Sequence, residues 1–349
     1  MVEQIQVGLI GYGMAGRVFH APVITAIPQL KLTKVVERHG STARQRYPWV
    51  EGVQVDALLD DPAIQLVVIA TPNSSHFDLA QQALAADKHV VVDKPFTLTS
   101  EQAQLLLDLA HQKNKILSVH HNRRWDGDFQ TVKALIEAGH LGQLVEYEAH
   151  YDRFRPALKS GAWREEAGLG SGILFDLGSH LIDQAQVLFG LPEAITADIR
   201  VQRQGGKAAD SFEVVLHYDK LRVTLKAGML VRELGPHFIL HGTAGSFVKY
   251  GMDLQEEALK NGRSPAEPDW GVEPPEQWGV LNTQIGDLHF HGKIETARGC
   301  YQAYYENVYQ AIADGAELAV KPEEARNTMR LIELAMASNE QKRTVLYEN

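Results

Sequence analysis

The first third of the chain repeats one rhythm: a short apolar run, a turn, then a helix-length amphipathic stretch, up to about residue 120. The apolar runs predict strands over Gln6–Ile10, Leu32–Glu37, Leu66–Thr71, His89–Asp93 and Ile116–Val119, and the longer stretches predict helices such as His76–Ala86 and Ser100–Gln112. Ser100, followed by Gln104 and the apolar Leu105–Leu107, reads as a helix entry. Strands that alternate with helices build βαβ units, hence a parallel sheet with right-handed crossovers. This part is expected to be one doubly wound α/β domain.

After about residue 145 the period changes. In SFEVVLHYDKLRVTLKAG, Phe212, Val214, Leu216 and Tyr218 fall on one face, as do Leu221, Val223 and Leu225, while Glu213, His217, Arg222 and Lys226 fall on the other. Strict alternation predicts an antiparallel hairpin with one wet or partner-covered face. Short strands are expected around residues 236–241 and 246–250, and a long loop over Asn261–Gln277, which is rich in Pro, Gly and acids. Helices near Tyr301–Ala313 and Pro322–Ser338 close the chain. The second domain is therefore expected to be α+β on an antiparallel sheet. A chain of 349 residues exceeds what one core usually spans, so two domains are expected, residues 1–122 and 123–349.

Composition narrows the function classes. The content of 44% hydrophobic and 22% charged residues is ordinary for a globular enzyme. A net charge of −10 argues against nucleic acid or an anionic membrane as partner. The single cysteine, Cys300, leaves no internal disulfide and no cysteine metal cluster. The start MVEQIQVGLIGYG enters a strand pattern directly, and no run approaches the roughly 18 apolar residues of a membrane span. A reducing, cytoplasmic setting is expected.

Gly11-Tyr12-Gly13-Met14-Ala15-Gly16 follows the strand VGLI and opens a helical segment. In that context GxGxxG is a dinucleotide fingerprint: the first glycine makes the tight turn, the second lets a pyrophosphate approach the backbone, and the third lets helix and strand pack closely. Glu37 stands roughly 20 residues on, where an NAD enzyme grips the ribose 2′-hydroxyl. Arg38, Ser41, Thr42 and Arg44 follow, a set that suits a 2′-phosphate. Glu37 favours NAD(H) and the Arg38/Ser41 cluster NADP(H); the balance is put on NADP(H). Thr71-Pro72-Asn73 lies at the carboxyl edge of the sheet, where ligands of open α/β sheets bind, with His76 just beyond.

The stretch VVVDKPFT raises a question of its own. Three valines predict a strand buried on both faces, yet Lys94 follows at its mouth, and lysine is rarely buried unless paired. Delivery of Lys94 to the sheet's carboxyl edge, beside the cofactor, answers it, and Pro95 stops the strand there. In DLGSHLID, Asp176, His180 and Asp183 share one helix face, with Leu177, Leu181, Ala185 and Leu188 as the neighbouring stripe. An alcohol that loses hydride needs a base for its hydroxyl proton, and His suits that task. His180 is therefore the candidate base, Asp176 its orienting partner, and Lys94 the group that binds the reacting oxygen. HHNRRWDGDF and HYDRFRP mix rings and hydrogen-bonding groups suited to a polyol, through Asn122, Arg123, Arg124, Trp125, Tyr151 and Arg153. His120-His121 and His289-Phe290-His291 lack usual ligand spacing, so no metal is expected.

Taken together, GYGMAG, TPNSSH, DKP and DLGSHLID resemble the Gfo/Idh/MocA oxidoreductase family over nearly the whole chain. HHNRRWDGDF, FDLGSH, HGTAGSFVKYG and KRTVL are most similar to its NADP-dependent scyllo-inositol dehydrogenase branch. The resemblance implies a Rossmann domain plus an α+β domain on a large open antiparallel sheet used in homodimer or homotetramer contacts. It implies catalytic roles for Lys94, Asp176 and His180, with Asp93 standing where the family motif has glutamate. It also implies substrate binding by Asp183, and Trp163 is placed with the substrate-binding set. The expected activity is interconversion of a secondary alcohol of a cyclitol or sugar, scyllo-inositol foremost, with its ketone. The alternatives are another sugar, keto-sugar or dihydrodiol as substrate, or a dinucleotide-binding sensor without catalysis.

Overall fold

The computed structural model describes Gln4–Glu348, except His39, Ser41, Ser160 and Ala162. The described chain divides into two compact units. The first comprises Met1–Trp125, Leu254–Gly271 and Cys300–Met329; the second comprises Asp126–Asp253, Val272–Gly299 and Arg330–Asn349.

The first unit is built on a six-stranded sheet: β1 (Ile5–Ile10), β2 (Leu30–Val36), β3 (Glu51–Gly52), β4 (Leu66–Ile69), β5 (His89–Val92) and β6 (Leu117–Val119). Its order is β3-β2-β1-β4-β5-β6, and the pairings are parallel. That is the doubly wound Rossmann order, which reverses direction between β1 and β4. The central strands β4 and β5 are nearly continuous apolar runs, the pattern of parallel strands covered on both faces. Val90, Val91 and Val92 are wholly buried, as the triple valine predicted.

Helix Ser100–Gln112 begins where expected, but its cap is Thr99. The Thr99 hydroxyl accepts the Gln102 amide at 3.2 Å, and the Gln102 side chain accepts the Leu98 amide at 3.2 Å. One orphan amide of the first turn and the amide just before the cap are thus satisfied by one reciprocal pair.

The second unit carries a nine-stranded sheet. Its strands are β7 (Leu144–His150), β8 (Ala194–Arg200), β9 (Ser211–His217), β10 (Arg222–Gly228), β11 (Phe238–Gly242), β12 (Gly245–Lys249), β13 (Gly279–Ile285), β14 (Leu288–Ile294) and β15 (Val345–Leu346), in the order β14-β13-β12-β11-β7-β10-β9-β8-β15. The pairings are antiparallel except β7 with β10, which run parallel. The expected hairpin is β9–β10: Phe212, Val214, Leu216, Val223 and Leu225 are buried, and across the opposite face Lys226 pairs with Glu213 at 3.2 Å. Strands β13 and β14 form a hairpin that the sequence analysis did not anticipate.

One pair of charges is buried in this unit with its partners matched. Lys249 and Glu273, both nearly inaccessible, pair at 2.8 Å, and the Thr296 hydroxyl donates to the same carboxylate. Removing one partner of such a pair strands the other charge. Glu273→Gln should lower unfolding free energy by about 3–5 kcal/mol, measured by urea denaturation. A Lys249→Met/Glu273→Leu double variant should recover most of that loss.

Candidate active site

At the carboxyl edge of the first sheet, β1 ends and the chain turns at Gly11, whose φ is +98° and whose amide donates to the Val36 carbonyl at 3.0 Å. A Cβ on Gly11 would sit 2.7 Å from the Ala70 carbonyl oxygen, and one on Gly16 would sit 2.0 Å from that of Gly11. Those two positions admit only glycine. Gly13 is different: it is exposed, and nothing lies within 4 Å of where its Cβ would be. The bare backbone there is an open cradle at the start of a helix whose first amides lack intrahelical partners. These residues, with Met14 and Ala15, fit a dinucleotide pyrophosphate. Tyr12 is buried beside them; its hydroxyl has no partner among the described residues, and burial pushes it up to about 12.

Past the end of β2 the two cofactor signals separate. The Glu37 carboxylate accepts the Thr42 amide at 3.1 Å and its hydroxyl at 2.6 Å through one oxygen, and the Ala43 amide at 2.8 Å through the other. It caps the helix Thr42–Arg46 from outside. Arg38 and Arg44 are exposed. Ser41 lies outside the described residues.

Beyond β4, Pro72 is exposed and Asn73 buried, and the Thr71 hydroxyl accepts from Ser75 at 2.8 Å. His76 is buried, with Nδ1 2.8 Å from the Pro95 carbonyl and Nε2 3.0 Å from the Thr71 carbonyl. Burial lowers its pKa, and the ring sits between the turn after β4 and the turn after β5, with one nitrogen facing a carbonyl of each. Lys94 is half-buried directly beyond β5. Its amide donates to the Asp93 carboxylate at 2.9 Å. The Lys94–Pro95 bond is cis.

The turn Asn122–Trp125 is more buried than a pocket wall requires. Arg123 is paired with Glu256, and Arg124 reaches Glu324 at 2.8 Å and the Ala319 carbonyl at 2.7 Å. Both guanidinium groups are thus matched by internal acids, the salt-bridge role that such residues usually fill. The Trp125 carbonyl accepts from the amide of Cys300 and from Gln255, each at 3.0 Å, and its ring lies edge-on to Tyr304.

In the second unit, Asp176, His180 and Asp183 sit on a helix buried almost all round. The backbone opens into a wide i→i+5 turn over Leu174–Gly178 before the regular helix Ser179–Phe189. Such wide turns recur at functional sites. Gly178 permits the close approach: a Cβ there would lie 2.9 Å from Leu174 and 3.4 Å from the Phe212 ring of β9. His180 and Asp183 are buried, whereas Asp176 is half-exposed and lies 3.4 Å from the Arg164 guanidinium. Tyr151 is buried with its ring 6.4 Å from that of His180 and 5.0 Å from that of His237. His237 in turn holds the buried Asp128 at 2.8 Å. Arg153 is half-buried, and its backbone bonds to Gly228 and Val231. Trp163 is half-buried under the Arg164 guanidinium, 4.5 Å from its ring centre.

Arg164, His237, Asp128 and His20 carry no signal in the sequence pattern, and Asp93 stood out there only as the replacement for the family's glutamate. Nothing local marks their contacts, because each acquires its neighbour only through the fold. His20, Asp93 and His120 form the group of possible metal-ligand type among the described residues, with ligand atoms all within 4.8 Å of one another.

Comparison with known proteins identifies the architecture. Residues 5–121 match the oxidoreductase family's NAD-binding Rossmann fold, and residues 133–346 match the same family's C-terminal alpha/beta domain. A Bacillus subtilis protein named scyllo-inositol 2-dehydrogenase (NADP(+)) is 40% identical over 349 residues, spanning 100% of this chain and 97% of its own. An uncharacterised oxidoreductase of Escherichia coli is 44% identical over 346 residues, 99% of each chain. The solved structure of a putative oxidoreductase of Bacillus subtilis superposes with a TM-score of 0.96 at 40% identity, covering 100% of this chain and 99% of its own.

The glycine geometry separates binding from folding. Gly13→Ala should leave unfolding free energy within about 0.5 kcal/mol of wild type while weakening dinucleotide binding about tenfold or more, because its methyl group fills the cradle. Gly16→Ala should lower the melting temperature even without cofactor. Calorimetric titration and thermal denaturation of both variants check the pair.

Proposed function

The chain belongs to the Gfo/Idh/MocA oxidoreductase family, and from that premise we propose that it is an NADP(H)-dependent dehydrogenase that interconverts a secondary alcohol of a cyclitol, scyllo-inositol foremost, with its ketone. Membership makes it an oxidoreductase with a nicotinamide dinucleotide cofactor. The finer reading is carried by one observation, the full-length likeness to a relative named for that substrate and for NADP(+). The loop after β2 supports it: both Glu37 oxygens already hold Thr42 and Ala43, while Arg38 stands exposed for a 2′-phosphate.

When bound, the nicotinamide accepts or returns the hydride. In this proposal Lys94 hydrogen-bonds the oxygen that alternates between hydroxyl and carbonyl. His180 takes the hydroxyl proton in oxidation and returns it in reduction. Asp176 orients the imidazole and stabilises its charged form. Asp183, Tyr151, Arg153, Trp163 and Asn122 bind the polyol hydroxyls. No helix among the described residues is long and apolar enough to cross a membrane.

The test is a panel of cyclitols and sugars offered with NADP and NAD in parallel, followed at the reduced-nicotinamide absorbance. Turnover of scyllo-inositol with NADP above the other pairings supports the proposal; turnover confined to other sugars, or to NAD, removes it. Arg38→Ala should weaken NADP(H) by about 1.5–3 kcal/mol, the worth of a charge-assisted hydrogen bond, and leave NAD(H) nearly unchanged.

Proton transfer gives a separate signature. An imidazole base must be neutral to accept a proton, so oxidation should rise with pH and reduction should fall. His180→Ala should abolish that titration and cost roughly 100-fold or more, Lys94→Ala should lower turnover by a similar order with cofactor still bound, and Asp183→Asn should act mainly on KM. A His180→Ala profile identical to wild type would assign the proton to another group, with Tyr151 the next to test.

A further inference from the structure

One buried cluster of the first unit is unused by the mechanism above. His20 lies at the end of the wide turn Gly16–His20, in the helix that the glycine fingerprint opens. That turn directs its ring inward, where it is wholly buried. His120 follows the end of β6 and is equally buried, and its ring lies 4.2 Å from that of His20, tilted by 40°. Asp93 directly follows β5, with its Oδ1 3.6 Å from His20 Nε2 and 3.8 Å from His120 Nδ1. The same Oδ1 accepts the Lys94 amide at 2.9 Å. Tyr305 completes the set, with its hydroxyl 2.5 Å from His20 Nδ1.

Chemistry orders the protons in this cluster. Burial holds the Tyr305 hydroxyl well above its usual pKa, so it bonds His20 Nδ1 as a neutral hydroxyl. His20 turns its other nitrogen, Nε2, toward Asp93. Burial, reinforced by His20, lowers His120 to about 4, so that ring is neutral. Burial opposes ionisation of Asp93, but the two histidines and Lys94 outweigh it and hold the carboxyl well below its usual range. The result is one buried carboxylate flanked by two imidazoles and anchoring the backbone of the next residue. The distances are too long for full-strength hydrogen bonds, so the imidazoles hold the carboxylate electrostatically rather than by two tight bonds.

We propose that Tyr305, His20 and His120 are positioning residues that fix the Asp93 carboxylate, and that Asp93 through the Lys94 amide fixes the direction in which the Lys94 side chain leaves the parallel sheet. The inference rests on the proposed catalytic role of Lys94. It adds a consequence: the helix that cradles the dinucleotide and the strand that delivers the lysine are locked by the same buried acid. A misplacement of the order of an ångström at a reacting group is enough to lower turnover steeply.

The variants follow the geometry of each nitrogen. His20→Phe and His120→Phe keep ring volume and remove the ring nitrogens that face Asp93. His20→Gln places an amide donor near the Nε2 position, and His120→Asn places one near Nδ1. Tyr305→Phe removes a single hydroxyl and keeps the packing. The Phe variants should lower kcat with scyllo-inositol and NADP by about 10- to 100-fold, with KM for NADP within about threefold, and the amide variants should restore most of the loss. A readout free of turnover accompanies this: reductive methylation with 13C-formaldehyde, with the Lys94 signal assigned through Lys94→Arg. That signal should shift or broaden in His20→Phe and Tyr305→Phe and return in His20→Gln. Unchanged kcat and an unchanged Lys94 signal in the Phe variants would overturn the inference. So would one equivalent of zinc, iron or another transition metal per chain in elemental analysis of the purified protein, since the imidazoles would then be ligands. A fully active Lys94→Ala enzyme would instead sink the catalytic role of Lys94, and the methylation signal would still report whether the cluster holds the side chain.

Discussion

The carbonyl of Gly11 and the backbone of Gly16 approach so closely that no side chain fits between them, and much of the first unit follows from that contact. It lets the helix start directly off β1, which leaves the backbone at Gly13 bare and the first amides of the helix free to meet phosphate. It also sets the helix at the depth from which His20 reaches the end of β5. Cofactor cradle and lysine mount are therefore two outcomes of one backbone approach. The strand order adds the rest: the ends of β1 and β4 flank the point where the sheet reverses, so Gly11 and Thr71 open on the same edge.

The second unit solves a different problem, which is to hold polar groups in a dry interior. The helix bearing His180 is buried along Ser179–Gln186, so its polar face has no solvent to fall back on. A wide turn and a glycine at position 178 bring it down onto the sheet. Nearby, Asp128 is held ionised by His237 against the opposing effect of burial, and Tyr151 packs its ring on that same imidazole. A ring stacked on a buried pair loses little further freedom when it meets a ligand. The mixed strand β7, parallel to β10 and antiparallel to β11, carries the chain out to Tyr151.

How far the chain could be read in advance depended on whether the signal was local. Val90–Val92, the GxGxxG turn and the alternation of β9 and β10 are each set by neighbours in sequence, and each appears in the structure as expected. The hairpin β13–β14 escaped notice because its alternation is masked by polar and small residues on its open faces, such as Asn282, Gln284 and Gly292. Arg123 and Arg124 looked like pocket groups because their acids, Glu256 and Glu324, are more than a hundred residues away. For the same reason the spacing of His20, Asp93 and His120 carried no message. Asp176 through His180 was legible as a helical face, but the i→i+5 turn beneath it was not, since a wide turn is fixed by packing rather than by propensity.

The capping role of Glu37 bears on how cofactor preference can drift over evolutionary time. An acid in that place is ordinarily counted as a vote for an unphosphorylated ribose, yet here it is a structural keystone for the loop and the helix that follows. Deleting the arginine alone would leave a carboxylate already engaged by two amides and a hydroxyl of its own loop. Freeing it to greet a ribose would mean dismantling the Thr42 hydroxyl contact and refolding the loop entry. A lineage with this loop thus faces a two-step path to a changed preference, with a poorly capped helix as the intermediate.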